Sequence, residues 1–421
     1  MSIKDSIIAG LDIGSTTIRM VVGQKIAQEK GEQLQIIGAV SVPAEGISKG
    51  VVNSIENATS SITACLEKAE RLVGVPIERV WVSLNIPHLR CEKSKGVVAI
   101  SKSDGEITDV DKDRAIDAAS ALSVPPNYEV LHVTPIRYTV DNQTDVKDPI
   151  GMTGVRLEVE VLIIQALSAQ LNNLSKAIHR TGVEIEKFVL APMAAAEAVL
   201  SSKQKDLGAV VINLGASTTS LVVYEEGELL HTAVLPIGSE HITGDIAIGL
   251  RCPVDLAERI KIEFGSADPA DFGKRDEVDI SDLAHEEGVM EEVGRTVSRG
   301  FVAEIIEARV EEIFEKVDDE LKKIERSGML PAGAYLVGGG AKLTDLVEVA
   351  KKRLRLPASV ASNKTGFAAI DKVNDPAYIT ALGLVIWGDR NLSMSSSRPS
   401  FGNVGSIFKK IKSGFDRFVP K

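Results

Sequence analysis

The chain has 421 residues, too many for one ordinary hydrophobic core, so two or more domains are expected. It is 44% hydrophobic and 25% charged, with a formal net charge of −11. That is a soluble, globular composition, and it argues against general nucleic-acid binding, which needs a basic face. Cys65, Cys91 and Cys252 are scattered without a CxxC pair, and the six histidines form no HxxxH pair. No disulfide or metal framework is therefore expected, and a reducing compartment suits the thiols. No apolar run reaches the roughly 18–20 residues of a membrane span. The start, "MSIKDSIIAGLDIG", lacks a basic region followed by a long apolar core, so a cytoplasmic protein is expected.

In chain order, "IIAGLDIG" and "TIRMVVGQ" read as strands around a tight turn, followed by a third strand, "LQIIGAVSVP". "ENATSSITACLEKAERLVG" has helical spacing at Ile62, Leu66, Ala69 and Leu72 and stops at Gly74. "ERVWVSLN" returns as a strand, giving an α/β domain. Residues 84–163 change texture. "KGVVAIS", "EVLHVTPIRYTVD" and "VRLEVEVLII" are strands, and "TDVDKDRAIDAASAL" is a helix capped by Thr108. The alternation in "RLEVEVL" indicates one solvated face, and the segment reads as a small α+β insert. "SAQLNNLSKAIHRTG" and "APMAAAEAVLSS" are helices, the second opened by Pro192.

From about residue 205 the first pattern returns. With Asp12 aligned to Asn213, "GLDIGSTTIRMVV" lies over "VINLGASTTSLVV", and Gly14/Gly215, Thr17/Thr218 and Val21/Val222 coincide. Such a repeat means two similar halves. "DIAIGLRCPVDLAERIKIEFG" and "VGRTVSRGFVAEIIEARVEEIFEKVDDELKKI" read as helices flanking an acidic segment, 266–292. "AYLVGGGAKLTDL" is strand, glycine turn and helix, and "DPAYITALGLVIWG" is an apolar helix. The serine-rich residues 391–400 read as a flexible linker.

Three loops carry candidate chemistry. In the first, Gly14 lets the backbone approach a phosphate, and Ser15, Thr16 and Thr17 offer hydroxyls and amides. Asp12 can hold the water shell of a magnesium ion. The second loop, Gly215 to Thr219 with Ser217 and Thr218, has the same shape. In the third, Gly338, Gly339 and Gly340 end a strand before a helix whose amides can face an anion. A glycine turn alone is usually only a turn; three in this order, two of them repeated, are more specific.

On these residues the chain resembles the actin-like ATPase superfamily and, within it, the FtsA family of bacterial cell division proteins. "AGLDIGSTTIRMVVG" is similar to the first phosphate loop, and "HVTPIRYTVDNQTDVKDPIGMTGVRLEVEVLII" to the family's distinctive insert. "LPIGSEHITGDIAIGLRCPVDLAERIK" resembles its first connecting segment, and "EIIEARVEEIF" with "AYLVGGGAKLTDL" its adenosine region. The resemblance implies an α/β fold, two-lobed and actin-like (duplicated ribonuclease H-like). Residues 1–83 and 164–204 would form the first lobe, 84–163 an SHS2-like insert, and 205–390 the second lobe with a smaller subdomain at about 250–325. ATP and Mg2+ would lie in the cleft, with Asp12 to Thr17, Asn213 and Gly215 to Thr219 around the phosphates and Gly338 to Gly340 at the adenosine. Glu304 and Arg309 lie on a helix that borders the base and ribose in the superfamily, or else on a solvated face laced with ion pairs.

Two departures bear on hydrolysis. Relatives usually carry an acid at the Asn213 position and often another at Ser220; an amide brings no charge to a metal. Active relatives place Gln or Glu where Ala191 stands, to orient the attacking water. ATP binding with poor hydrolysis is expected.

Residues 401–421, "FGNVGSIFKKIKSGFDRFVPK", place Val404, Ile407, Phe408, Ile411, Phe415 and Phe418 within an arc of roughly 100° on a helical wheel. Lys409, Lys410, Lys412 and Arg417 lie off that arc. A basic, aromatic, amphipathic helix on an acidic chain points to an anionic membrane surface. The resemblance implies head-to-tail polymers on the inner membrane, at the septum. They would tether the tail of the tubulin-like GTPase FtsZ and recruit later division proteins. Arg295 and Arg299 fall in the lobe that would meet that tail, or are ordinary surface charges. An actin-like pilus-assembly adaptor and an actin-fold kinase or phosphatase are the competing readings.

Overall fold

A computed structural model describes residues 7–28, 31–121, 124–273, 275–287, 295–363 and 370–397. The first lobe begins with β1 (Ile7–Ile13), β2 (Thr17–Gln28) and β3 (Gly31–Pro43). A small pair, β4 (Ile47–Ser48) and β5 (Val51–Val52), precedes α1 (Ile55–Val73) and β6 (Arg79–Leu84). Helix α1 starts where Ser54 Oγ accepts the Asn57 amide and ends at Gly74 with φ 74°, as its periodicity and glycine stop predict.

The insert follows: β7 (Arg90–Ala99), α2 (Asp109–Ser120), β8 (Tyr128–Val140), β9 (Gln143–Val146) and β10 (Arg156–Leu167). Its four strands pair in the order β7-β10-β8-β9 around their own core. The expected one-sided burial of β10 holds only at its start. Farther along, Ile163 faces the insert core while Leu162, Ile164 and Ala166 join the first-lobe core, so this strand stitches the two units together.

The chain returns through α3 (Ser168–His179), β11 (Glu184–Leu190), α4 (Ala191–Val199) and α5 (Ser202–Leu207). The second lobe holds β12 (Ala209–Leu214), β13 (Thr219–Glu225), β14 (Glu228–Leu235), α6 (Ser239–Leu250) and α7 (Val254–Phe264). Next come β15 (Glu277–Asp279), α8 (Ser281–Glu286), β16 (Thr296–Ser298) and α9 (Arg299–Lys323). It closes with β17 (Gly333–Val337), α10 (Leu346–Leu354) and β18 (Ala358–Val360) before α11 (Ile379–Ser397).

The duplication is structural. The sheets run β11-β6-β1-β2-β3 and β14-β13-β12-β17-β18. In each, the strand before the phosphate loop sits centrally, with its antiparallel partner on one side and a parallel strand on the other. Register repeats as well: Asp12 pairs with Arg19 as Asn213 pairs with Ser220, and Ile13 with Ile18 as Leu214 with Thr219.

Three expectations change. The helix read through "DIAIGLRCPVDLAERIKIEFG" is two helices, α6 and α7. Arg251 takes a left-handed φ of 54°, and Pro253, which has no amide to continue the ladder, follows it. Helix α11 packs on β1, β2, β6 and α4, so the last apolar helix belongs to the first lobe rather than to the second. It continues to Ser397, seven residues into the stretch read as a linker, because the helical turn carries on through Asn391, whose Nδ2 donates to the Trp387 carbonyl at 2.8 Å.

Candidate functional site

The two repeated turns close by the same bond. Gly14 N–H donates to the Thr17 carbonyl at 3.2 Å, and Gly215 N–H to the Thr218 carbonyl at 2.9 Å. A Cβ would lie 2.7 Å from that carbonyl at Gly14 and 2.8 Å at Gly215, so both turns demand glycine. The amides of Ser15, Thr16, Ala216 and Ser217 meet no protein acceptor among the described residues. Amides left unpaired at equivalent positions of two such turns are the donors that an anion-binding concavity would need.

Asp12 ends β1 beside the first turn. Ser83 Oγ donates to its carboxylate at 2.6 Å and accepts the Ile13 amide at 3.1 Å. Burial raises the Asp12 pKa, opposed by the Ser83 hydrogen bond and the Arg19 charge. Part of its surface stays open to the cleft while protein surrounds the carboxylate. Ser15 Oγ accepts the Gly50 amide at 3.3 Å, Thr16 is exposed and Thr17 half-buried.

The second loop is more enclosed. Asn213 is buried, its Nδ2 reaching Thr380 Oγ1 at 3.4 Å and its Oδ1 lying against Gly338. Ser217 and Thr218 are buried too: Ser217 Oγ donates to Glu240, and Thr218 Oγ1 accepts from Asn85 Nδ2 at 2.8 Å. The Ser217 hydroxyl thus donates within the protein, whereas Thr218 Oγ1 only accepts, so its O–H and the unpaired backbone amides remain as donors. Thr219 Oγ1 and Ser220 Oγ are buried without a partner. The start of α6 is fastened to this loop, Ser239 N–H donating to the Gly215 carbonyl at 2.9 Å and Glu240 N–H to that of Ala216 at 2.8 Å.

The third loop lies against the second. Gly338 has φ 90°, and a Cβ there would meet the Leu214 carbonyl at 2.5 Å. Its amide donates to the Pro376 carbonyl at 2.9 Å. Gly339 faces open space, and a Cβ built at Gly340 would lie 3.5 Å from Ser239 Cβ. The loops of residues 12–17, 213–219 and 338–340 are therefore brought to one place, as the sequence implies for the first and second by repeat and for the third by its glycines.

Other candidates stand differently. Arg309 is held by Asp245 in a two-pronged pair, Nε at 2.6 Å and Nη2 at 2.8 Å, and also by Glu312, while Glu304 is exposed. That arrangement matches the ion-pair alternative for Arg309 in this ligand-free state. Ala191 is 1% exposed at the first turn of α4. Arg295 is exposed, and the Arg299 guanidinium lies over the Phe272 ring at 4.4 Å. The membrane candidates Ile407, Phe408, Lys409, Lys410, Ile411, Lys412, Phe415, Arg417 and Phe418 lie outside the described residues.

Sequence reasoning missed Asn85, a polar residue just past the apolar strand "VWVSLN", and a buried network behind Ser239. There Lys261 Nζ donates to Thr243 Oγ1 at 2.7 Å, Glu258 at 2.5 Å and the Ser239 carbonyl at 3.3 Å. The "AERIK" spacing of one turn between Glu258 and Lys261 was the available signal. Among the described residues no His, Cys, Asp and Glu cluster of three could hold a metal, and no helix is long and apolar enough to cross a membrane.

Comparison with known proteins gives the arrangement a family. Residues 210–383 match the profile of "Cell division protein FtsA", and residues 87–165 that of the "SHS2 domain inserted in FTSA". The cell division protein FtsA of Pseudomonas aeruginosa is 33% identical, over 94% of this chain and 93% of its own. That of Neisseria meningitidis is 36% identical, over 90% and 89%. Among solved structures, the PilM-PilN type IV pilus biogenesis complex aligns with a TM-score of 0.60 at 17% identity, over 90% of this chain and 98% of that one. Spiroplasma citri MreB5 bound to ADP aligns at 0.55 and 12%, over 94% and 100%. At these identities the structures speak for the actin-like fold, and the sequence relatives for the family. A duplicated two-lobed fold, an SHS2 insert in its first lobe and relatives matched over nearly their whole length place this chain in the FtsA family of cell division proteins.

Proposed function

We propose that the chain binds ATP with Mg2+ in the cleft between its lobes and acts as an actin-like scaffold on the cytoplasmic face of the membrane at the division septum. There it polymerises, holds the tail of the GTPase FtsZ and recruits later division proteins. The observation that carries the nucleotide reading is the pair of facing turns with unpaired amides at Ser15, Thr16, Ala216 and Ser217. Glycine at 14 and 215 lets a phosphate reach them. The adenosine would lie toward the open side of Gly339, near Ser239 and the Lys261 network.

Asp12 fits magnesium. The ion takes few protein ligands, keeps its waters and uses phosphate oxygens, and the carboxylate of a half-buried residue beside a phosphate turn supplies that need. When bound, the ion neutralises phosphate charge. Asn213 brings no second charge and is turned toward Thr380, and Ala191 has nothing with which to orient a water. Missing positioned groups of this type cost about 10²–10⁴-fold in rate. Steady-state phosphate release is therefore expected to be slow although ATP binds. Brisk magnesium-dependent turnover would contradict this.

The membrane reading rests on residues 401–421. Co-sedimentation with anionic vesicles is expected for the full chain and should be lost on deleting 401–421, or in the double variant Phe408→Glu with Phe415→Glu. With FtsZ added, the full chain should carry it into the vesicle pellet and the deleted chain should not. Vesicle binding that survives the deletion overturns the anchor.

A further inference from the structure

Two turns on opposite lobes converge on one residue, Asn85. Asn85 follows β6 in the first lobe, and its Nδ2 donates at 2.8 Å to Thr218 Oγ1 in the second. A Cβ built at Gly215 would lie 3.9 Å from that same nitrogen. On the first-lobe side, Gly50 packs so closely on the Asn85 carbonyl that any side chain at 50 would clash. The Gly50 amide is in turn bonded to Ser15 of the first turn. Asn85 is thus fixed through its backbone to one phosphate turn and through its carboxamide to the other.

Asn85 Oδ1 is buried without a partner, as are Thr219 Oγ1 and Ser220 Oγ close by in sequence to Thr218. The Thr218 hydroxyl accepts from Asn85, which leaves its own O–H free to donate.

We propose that Asn85 is a nucleotide-contacting latch between the lobes: one Nδ2–H is bonded to Thr218 Oγ1, and the other would donate to a β- or γ-phosphate oxygen of a nucleotide held by the two turns. A bound nucleotide would then add a second link between the lobes beside the direct one, with the Thr218 O–H, which is not used by Asn85, donating to the same phosphate. A neutral amide suits this position because it donates to Thr218 and to a phosphate alike. This inference rests on the nucleotide reading above.

Calorimetric titration of the full chain with ATP, ADP and AMP, each with Mg2+, tests it. Asn85→Ala is expected to weaken ATP and ADP about 10-fold or more, the scale of one hydrogen bond to a charged group, while leaving AMP unchanged. Asn85→Asp, which sets a carboxylate against the phosphates, should weaken ATP by more than about 100-fold. Asn85→Ser serves if the alanine variant does not fold. Equal losses for ATP, ADP and AMP mean a merely structural role and overturn the proposal, as do variants that bind ATP like the parent. If the parent binds no adenine nucleotide, the nucleotide reading falls and the latch with it.

Discussion

Gly383→Ala is expected to destabilise the protein by about 2–4 kcal/mol, against the usual benefit of alanine in a helix. Helix α11 lies between α4 and the first sheet, and Ile379, Ala381, Leu382, Leu384, Val385 and Ile386 are buried in the first-lobe core. On one side, Gly383 meets the backbone of α4: a Cβ there would run into the Ala194 carbonyl and lie 3.1 Å from the Ala195 amide nitrogen. On the other side, Gly10 of β1 lies under the Ala381 carbonyl and Leu384, whose Cβ a side chain at 10 would meet at 2.8 Å. The helix has no room to retreat, because moving away from α4 drives it into β1. The obstructing atoms are backbone, which cannot swing aside as a side-chain tip can. Gly244→Ala in α6 is the control, since a Cβ there meets nothing within 4 Å. It should leave stability unchanged or raise it by up to ~1 kcal/mol through propensity alone. Urea unfolding of both variants decides the matter. A Gly383→Ala protein as stable as the parent would mean that α11 is not clamped in this way.

How far the fold was legible follows from where its constraints lie. The repeat could be read because each half needs the same local features, an apolar strand, a turn glycine and small polar residues, all within about a dozen positions of sequence. The structure returns the same register and the same turn bond. Helix α1 was legible for a similar reason, with its stripe and Gly74 stop both local, although Leu72 at the end of that stripe is exposed. The split between α6 and α7 was also written locally, in Arg251-Cys252-Pro253, but apolar periodicity on both sides masked it. The place of α11 was not legible. Nothing local says that an apolar helix near residue 380 returns to a sheet begun at residue 7; the sign is a pair of glycines, Gly10 and Gly383, whose missing side chains matter only once brought together. Asn85 was hidden in the same way, because its partner Thr218 is 133 residues away. The site's backbone could thus be inferred from sequence, whereas the side chains that tie its two halves together had to be seen.

Asp12→Asn is expected to abolish most of the magnesium-dependent gain in ATP affinity, about 100-fold or more, and at the same time to make the ligand-free protein more stable at neutral pH. Burial holds the Asp12 pKa above its ordinary value, and the Ser83 hydrogen bond and Arg19 offset this only in part. A carboxylate whose folded pKa is raised costs nothing below its unfolded pKa, where it is neutral in both states. The cost grows as pH rises from that value through the raised folded pKa, and is then present in full. Thermal melts of parent and variant should therefore converge in acid and separate with rising pH, with Asp12→Asn the higher of the two at pH 7. A variant less stable than the parent at pH 7 contradicts this account, and unchanged magnesium dependence removes Asp12 from the metal site. The second lobe already carries the exchange. Asn213 occupies the equivalent register position, is buried, and spends its amide on Thr380 and its Oδ1 side against Gly338. Restoring a carboxylate there should act in the opposite sense. Asn213→Asp is expected to lose stability as pH rises, because a buried charge beside Gly338 is poorly solvated and forfeits the bond from Nδ2 to Thr380. The chain thus keeps one costly charge where a cation on the phosphates would offset it, and a neutral amide where the two lobes must pack.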